Sequence, residues 1–388
     1  MKTVGIEESF IKIYPGRRPE FTADAGGSIF LMGDQAEYHD GIAIAAAVDL
    51  RSSAAGVRRG DGLLRIFSLN EDAAMETRID GIKPPQGKAD WRSALTGPVW
   101  AMRKSRWNVT GMDLLVRGNA FQSGETPFSA STHVALVGLC SALAGAGISA
   151  IETARIAKLS MQGFCGIRGG MVGTMAGACC ERQCVMMVDC RSAAVEQVRF
   201  PAEWAIVLAD SGARPRISPA DRETRNSRVS SGILKMKAAY PNVNTPRDVN
   251  RQMLETTRKS LGSDEHRLLD HLVSENARCL DAREAIKCGD SGRIGKIMTE
   301  SHQSVARNFE SSCPEIDALV EAAGGSPGFI GSRTTGEDTW GCTVNLIMAA
   351  KAAEFRTSLE ENYLWKTRKR AVTRIVACSE GLNVRAVL

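Results

Sequence analysis

The chain has 388 residues, of which 43% are hydrophobic and 24% charged, and a formal net charge of +5. This composition excludes a largely disordered chain, and the length favours two domains with ordinary cores. A modest charge without a long basic run points away from nucleic acid as a partner.

The apolar stretches 42–48 and 134–144 are too short or too broken by glycine to span a bilayer, so no membrane partner is expected. Residues 1–18 lack the apolar core of a secretory signal and run into Tyr14-Pro15-Gly16-Arg17-Arg18. Eleven cysteines, an odd number, read as free thiols in a reducing compartment, and a soluble cytoplasmic protein is expected.

Segment 28–50 predicts a strand, a turn at Tyr38-His39-Asp40-Gly41, and a second strand rich in Ile, Ala and Val. A buried helix is expected from Ser129 to Ala144, stopped by Gly145 and Gly147, with a further helix over 150–161. Cys179, Cys180, Cys184 and Cys190 lack the paired Cys-x-x-Cys spacing of a zinc site. They flank Val185-Met186-Met187-Val188, which reads as a buried strand, so no metal is assigned.

Strands are expected at 184–190 and 205–209. The stretch 211–227, with Pro215, Pro219 and several charges, reads as a loop, which sets a domain boundary near residue 200 and domains of 1–200 and 201–388. Beyond it the pattern is mostly helical. Leu268, Leu269, Leu272, Val273 and Asn276 recur at helical spacing, as do Ile294, Ile297, Met298 and Val305 before a stop at Ser312-Cys313-Pro314. Ile316, Leu319 and Val320 form a short amphipathic face. A glycine-rich run over 324–336 precedes a strand at 342–348 and a helix from Ala350, and Lys366-Thr367-Arg368-Lys369-Arg370 reads as a solvated helix face. Strands mixed with separate groups of helices give an α+β class.

Gly33-Asp34-Gln35-Ala36-Glu37-Tyr38-His39-Asp40-Gly41 and Val188-Asp189-Cys190-Arg191-Ser192 are the first two of four stretches that, in this order, resemble the galactokinase family of the GHMP kinase superfamily. The first resembles the signature G-E-H-x-D-Y-N-D-G, and the second matches the strand after the family's catalytic loop. Val273-Ser274-Glu275-Asn276-Ala277-Arg278 and Met298-Thr299-Glu300-Ser301-His302-Gln303-Ser304 are similar to its C-terminal helices. Gly331-Ser332-Arg333-Thr334-Thr335-Gly336 through Gly341-Cys342-Thr343-Val344 resembles its third motif. The resemblance runs from about residue 20 to the C-terminus. It implies a ribosomal-protein-like N-terminal domain, a ferredoxin-like C-terminal domain and a site in the cleft between them.

Sugar phosphorylation needs a polar cup for hydroxyls, a small-residue loop for phosphates, and groups that stabilise charge or take a proton. The resemblance places the cup on Asp34, Gln35, Glu37, Tyr38, His39 and Asp40, with the family's Glu, His and Asp changed to Asp34, Gln35 and Glu37. The plain alternative is a turn at Asp40-Gly41 with Tyr38 packing. Asp221 falls where the family has a sugar-binding Tyr.

The family's phosphate loop corresponds to Gln122-Ser123-Gly124-Glu125-Thr126-Pro127-Phe128-Ser129-Ala130-Ser131, where Gly124, Ser129 and Ser131 remain as cofactor-binding candidates. Glu125 is negative where phosphate belongs, Pro127 lacks a backbone donor and Phe128 adds bulk. The family's catalytic Asp corresponds to Gly169 and its partner Arg to Ser28. A positioned base contributes about 10² to 10⁴ in rate. Arg168, beside the lost base, is the candidate for the missing positive charge, and with Asp34 completes the catalytic candidates; its bland alternative is a surface or structural Arg. Asp338 and Trp340, within Glu337-Asp338-Thr339-Trp340, crowd the third motif.

The reading placed first is a galactokinase-like protein that binds a sugar or sugar-derived molecule and performs a non-kinase reaction. The alternative is an active ATP-dependent sugar 1-kinase on an unusual sugar, with ATP and Mg as cofactors only in that case. A third reading is a non-catalytic sugar-sensing regulator.

Overall fold

The computed structural model describes residues 5–118, 129–167, 169–213, 218–336 and 341–387. In chain order, α1 (Ile6–Ile13) leads to β1 (Phe21–Met32), a 3-10 turn over Ala36–His39, and the long strand β2 (Ile42–Arg59). The hairpin β3 (Leu63–Ser68) and β4 (Ala73–Arg78) precedes α2 (Trp91–Lys104) and β5 (Gly111–Arg117). Three helices follow, α3 (Ala130–Ala144), α4 (Ala150–Leu159) and α5 (Val172–Cys179), then the strands β6 (Cys184–Asp189), β7 (Ala194–Arg199) and β8 (Trp204–Asp210). The next helices are α6 (Pro219–Lys237), α7 (Arg251–Thr257), α8 (Ser263–Cys288), α9 (Ser291–Ser304) and α10 (Pro314–Gly324). The chain ends with β9 (Phe329–Thr335), β10 (Cys342–Met348), α11 (Ala352–Thr367), β11 (Val372–Val376) and β12 (Asn383–Ala386).

The residues form two compact units. The first comprises 1–28, 46–183 and 378–388; the second comprises 29–45 and 184–377. The expected single cut near residue 200 describes the linear order, whereas here the chain enters and leaves each unit more than once.

In the first unit the strand order is β12-β1-β2-β5-β3-β4, with β3 and β5 parallel and β1–β12, β2–β5 and β3–β4 antiparallel. Helix α3 is buried on nearly every side, as its continuous apolar sequence requires. It starts on the side chain of Ser129, which accepts from the Thr132 amide, and stops at Gly145, whose φ of 62° continues no helix.

In the second unit, residues 42–45 of β2 pair antiparallel with β6, which pairs with β7. A separate antiparallel sheet runs β11-β8-β10-β9. Val207, Leu319, Ile347, Phe355, Leu359 and Tyr363 fill the space between that sheet and helices α10 and α11. A further core gathers Met236, Leu254, Leu268, Leu269 and Leu272 around α6 and α8, and Ala36 of the 3-10 turn joins it. The signature segment therefore rests on packed helices.

The expected helix from Ser129, the helix from residue 150, the strands at 184–190 and 205–209, and the helical C-terminal half all form, and the class is α+β. Segment 211–227 departs from expectation. From Pro219 onward it is helix α6, because the Ser218 hydroxyl and the Asp221 carboxylate close a reciprocal capping box at its start. Of its charges, Asp221 and Glu223 are exposed, whereas Arg225 is buried over the Phe309 ring. Cys179 closes α5 with Cys180 as its cap, Cys184 opens β6 and Cys190 follows it. No helix among the described residues is long and apolar enough to cross a membrane.

Candidate functional site

The signature segment in the second unit is a tight connection whose two glycines are geometrically required. Gly33 has a φ of 80°, and a Cβ there would lie 2.3 Å from the carbonyl oxygen of Ile42. A Cβ at Gly41 would lie 2.6 Å from the Ala36 oxygen and 2.7 Å from Oδ1 of Asn276. Between them the amide of Glu37 donates to Gly33 O, and that of Gly41 to Ala36 O. Helix α8 clamps both ends: the Gly33 amide donates to Glu275 Oε1 (3.1 Å) and the Ile42 amide to Asn276 Oδ1 (2.8 Å).

Behind the segment lies a buried ionic network. Arg333 of β9, fully buried, donates from Nη2 to Asp34 Oδ1 at 2.7 Å and sits 3.9 Å from Glu275 Oε1. Its Nη1 donates to the Leu31 carbonyl. Glu275 also accepts from Arg278 Nε at 2.8 Å and from the Ser301 hydroxyl at 2.7 Å. Burial pushes the Glu275 carboxyl up, but Arg278 and Arg333 outweigh it and hold the group down to about 2. Asp34 goes the other way: burial raises its pKa, and Arg333 offsets only part of the rise. Its Oδ2 is buried without a hydrogen-bond partner, so one acceptor of this carboxylate is open to a further donor.

The remaining signature side chains are placed differently. Gln35 is buried, with Nε2 at 3.4 Å from the Ser311 hydroxyl. Glu37, His39 and Asp40 are half-buried and Tyr38 is exposed. Burial lowers the His39 pKa to about 4 despite the nearby Asp40 charge, so its ring is neutral at pH 7. Asp40 faces Arg191 at 4.0 Å, and Arg191 also pairs with Asp248 at 2.9 Å. Burial, and then the charge of Glu37, push the Cys190 thiol up, so it is no nucleophile.

In the first unit, the start of α3 carries neutral hydroxyls bonded to one another. The Ser129 Oγ lies 3.1 Å from Ser131 Oγ and 2.8 Å from Thr132 Oγ1, and Ser52 Oγ lies 2.8 Å from Ser131 Oγ. Ser131, Thr132 and Ser52 are buried. One turn on, His133 Nδ1 meets the Ser160 hydroxyl at 2.8 Å, both fully buried. Ser160 opens the π-turn Ser160–Phe164 that leads to Cys165, Gly166, Ile167, Gly169 and Gly170. Ser28 is half-buried, its Oγ 3.2 Å from where a Cβ on Gly173 would lie.

No family model matches the chain. It is similar to the galactokinase of Roseiflexus sp., 26% identical over 99% of this chain and 97% of that protein. It is 28% identical to the galactokinase of Chloroflexus aurantiacus, over 96% of this chain and 95% of that one. Among solved structures it superposes on the Lactococcus lactis galactokinase complexed with galactose with a TM-score of 0.89, at 20% identity, covering 97% and 98% of the two chains. The chain is thus similar to galactokinases along nearly its whole length and has the GHMP-kinase fold.

The second unit brings together Asp34, Gln35, Glu37, Tyr38, His39 and Asp40 on one short connection and pins it to β9 and α8. Two residues of the buried network, Arg333 and Glu275, stand in the stretches that carry the resemblance, yet sequence reading gave them no role. The signal was a buried-strand Arg set against acids at a distance in sequence. Asp221 caps its own helix, its Oδ2 accepting from the Ser218 amide at 3.0 Å and the Ser218 hydroxyl at 2.7 Å. Gly124, Arg168, Asp338 and Trp340 lie outside the described residues, with Glu125, Pro127 and Phe128.

The described residues that fit a phosphate are the first-turn amides of α3, a 15-residue helix whose N-terminus favours an anion. No group of three or more His, Cys, Asp or Glu positioned to hold a metal occurs among the described residues.

Proposed function

We propose that this galactokinase relative is an ATP-dependent sugar kinase acting on a sugar other than galactose, bound through the connection from Gly33 to Gly41. The observation that carries this reading is the open Oδ2 of Asp34, a buried acceptor anchored on its other oxygen by Arg333 and suited to a sugar hydroxyl. Similarity to galactokinases over 95% or more of the chain supports the choice of phosphoryl transfer over other sugar chemistry. The exchanges of Glu for Asp34 and Asp for Glu37 keep acidity but alter reach, which supports a sugar with a different hydroxyl arrangement. In this reading ATP arrives with Mg, its phosphates lie against the start of α3, and Arg168 supplies the positive charge that Ser28 does not.

A second reading, a non-kinase reaction on a sugar, is favoured by one specific observation. Ser28 and Gly169 carry neither the guanidinium nor the carboxylate that phosphoryl transfer uses in the family.

The deciding experiment incubates purified protein with Mg-ATP and a panel of hexoses, pentoses and amino sugars, and follows ³¹P resonances. A new sugar-1-phosphate signal supports the kinase reading, and Arg168→Ala should then abolish it. Sugar binding by calorimetry, with no heat from Mg-ATP and no phosphorylated product, sinks the kinase reading and leaves the second.

A further inference from the structure

We propose that the outer edge of β11, with the basic turn before it, docks an extended acidic segment of another protein as an added strand of the second unit's sheet. Strand β11 stands at one end of the order β11-β8-β10-β9, and β8 is its one strand neighbour among the described residues. A terminal strand offers a row of backbone N–H and C=O groups as a template for pairing. The opposite end of the sheet differs, since β9 is buried along nearly its whole length. On β11, Val372 is 61% exposed and Ile375 39% exposed, and Trp365 at the end of α11 is 75% exposed.

The charge of this edge is only partly compensated. Between Lys366 and Val376 the sequence has five basic residues and no acidic one. Lys366 pairs with Glu321 and Lys369 with Glu315, whereas Arg368, Arg370 and Arg374 enter no ion pair among the described residues and are exposed. Strand β7, also a terminal strand, shows the contrast: its Glu196 is neutralised within the chain by Arg283 and Lys287.

These features select among occupants. A second copy pairing β11 with β11 would set the free arginines of each copy against one another, and like charges facing each other across strands are destabilising. An anionic membrane would attract the arginines and accept Trp365, but lipid gives no partners to the open backbone groups of β11. An acidic strand satisfies both the backbone and the guanidiniums.

The test uses the whole protein and a fluorescently labelled, end-capped heptapeptide of alternating Glu and Val, titrated by polarisation at low salt. Saturable binding is expected, with slowed hydrogen exchange confined to the peptide spanning 372–376. Affinity should fall at least about tenfold with Arg370→Glu/Arg374→Glu, and as far when the heptapeptide backbone is N-methylated. Arg374→Gln, a milder surface change, should give an intermediate loss, and circular dichroism checks that both variants fold.

Absence of binding, or equal binding by the charge-reversed variant, overturns the proposal. Undiminished binding of the N-methylated peptide shows plain charge attraction and overturns strand addition. A dimer by sedimentation that Arg374→Glu strengthens, or co-sedimentation with phosphatidylserine vesicles that the peptide does not compete away, overturns the choice of occupant. None of these outcomes depends on whether the protein phosphorylates a sugar.

Discussion

The signature connection of the second unit and the start of α3 in the first are both polar, but they hold their polar groups in opposite ways. Around the signature, Asp34, Arg333 and Glu275 are charged, buried and linked, with the half-buried Arg278 beside Glu275 and one carboxylate oxygen left open. At α3, Ser129, Ser131, Thr132 and Ser52 are neutral and bonded to one another. A buried charge network is intolerant of losing a member, because the partner left behind has no water to turn to. A hydroxyl cluster loses one member cheaply. The contrast predicts where substitutions are felt and what they disturb.

The largest effect is expected from Arg333→Met. It leaves Asp34 unpaired and removes one of the cations holding Glu275, so stability should fall by about 3–5 kcal/mol in chemical denaturation. Adding Asp34→Asn should recover part of that loss, because the stranded charge is then gone. Equal stability of the single and double variants would show that the pair is not coupled and would break the contrast.

Next in size is an acid effect carried by two fully buried histidines, one in each unit. Burial lowers both His133 and His271 to about 3, so each is held neutral in the fold. Below about pH 6.5 the unfolded chain takes up protons that the folded chain refuses, so stability falls as pH drops from about 6.5 towards 3. At pH 5 each histidine should cost about 2 kcal/mol relative to neutral pH. Glu275 acts lower: its stabilisation is complete above its ordinary value of 4.5 and is lost as pH falls towards about 2. Replacing both histidines with Asn, which keeps an acceptor near Nδ1 for Ser160 and Ser304, should flatten the curve between pH 7 and 5. A slope that survives in the double variant would place the acid sensitivity elsewhere.

Much of this arrangement was legible from local signals. The Ser129 cap, the Gly145 stop and the apolar run at 184–188 are set by neighbours in sequence, and each element formed where those residues stand. The glycines bracketing the signature announced a tight connection. What sequence did not convey depends on partners distant along the chain: Asp34 meets Arg333 across 299 positions. Read alone, Asp34 is an acid free to bind a ligand; in the fold, one of its oxygens is already committed. Asp221 has a cap partner three residues away that the loop-like composition of 211–227 concealed.

The smallest effect tests the neutral side of the contrast. Ser131→Ala removes a hydroxyl that faces Ser52 and Ser129, each of which keeps Thr132 within reach, so the cost should be about 1 kcal/mol. Because the side chain is turned inward and buried, a phosphate at the start of α3 would meet backbone amides and not this hydroxyl. Calorimetric affinity for Mg-ATP should therefore stay within about twofold of the parent, a difference below 0.5 kcal/mol. A tenfold loss of nucleotide affinity would mean that the Ser131 hydroxyl leaves the cluster when phosphate arrives. The α3 start would then be a rearranging site, unlike the fixed network around Asp34.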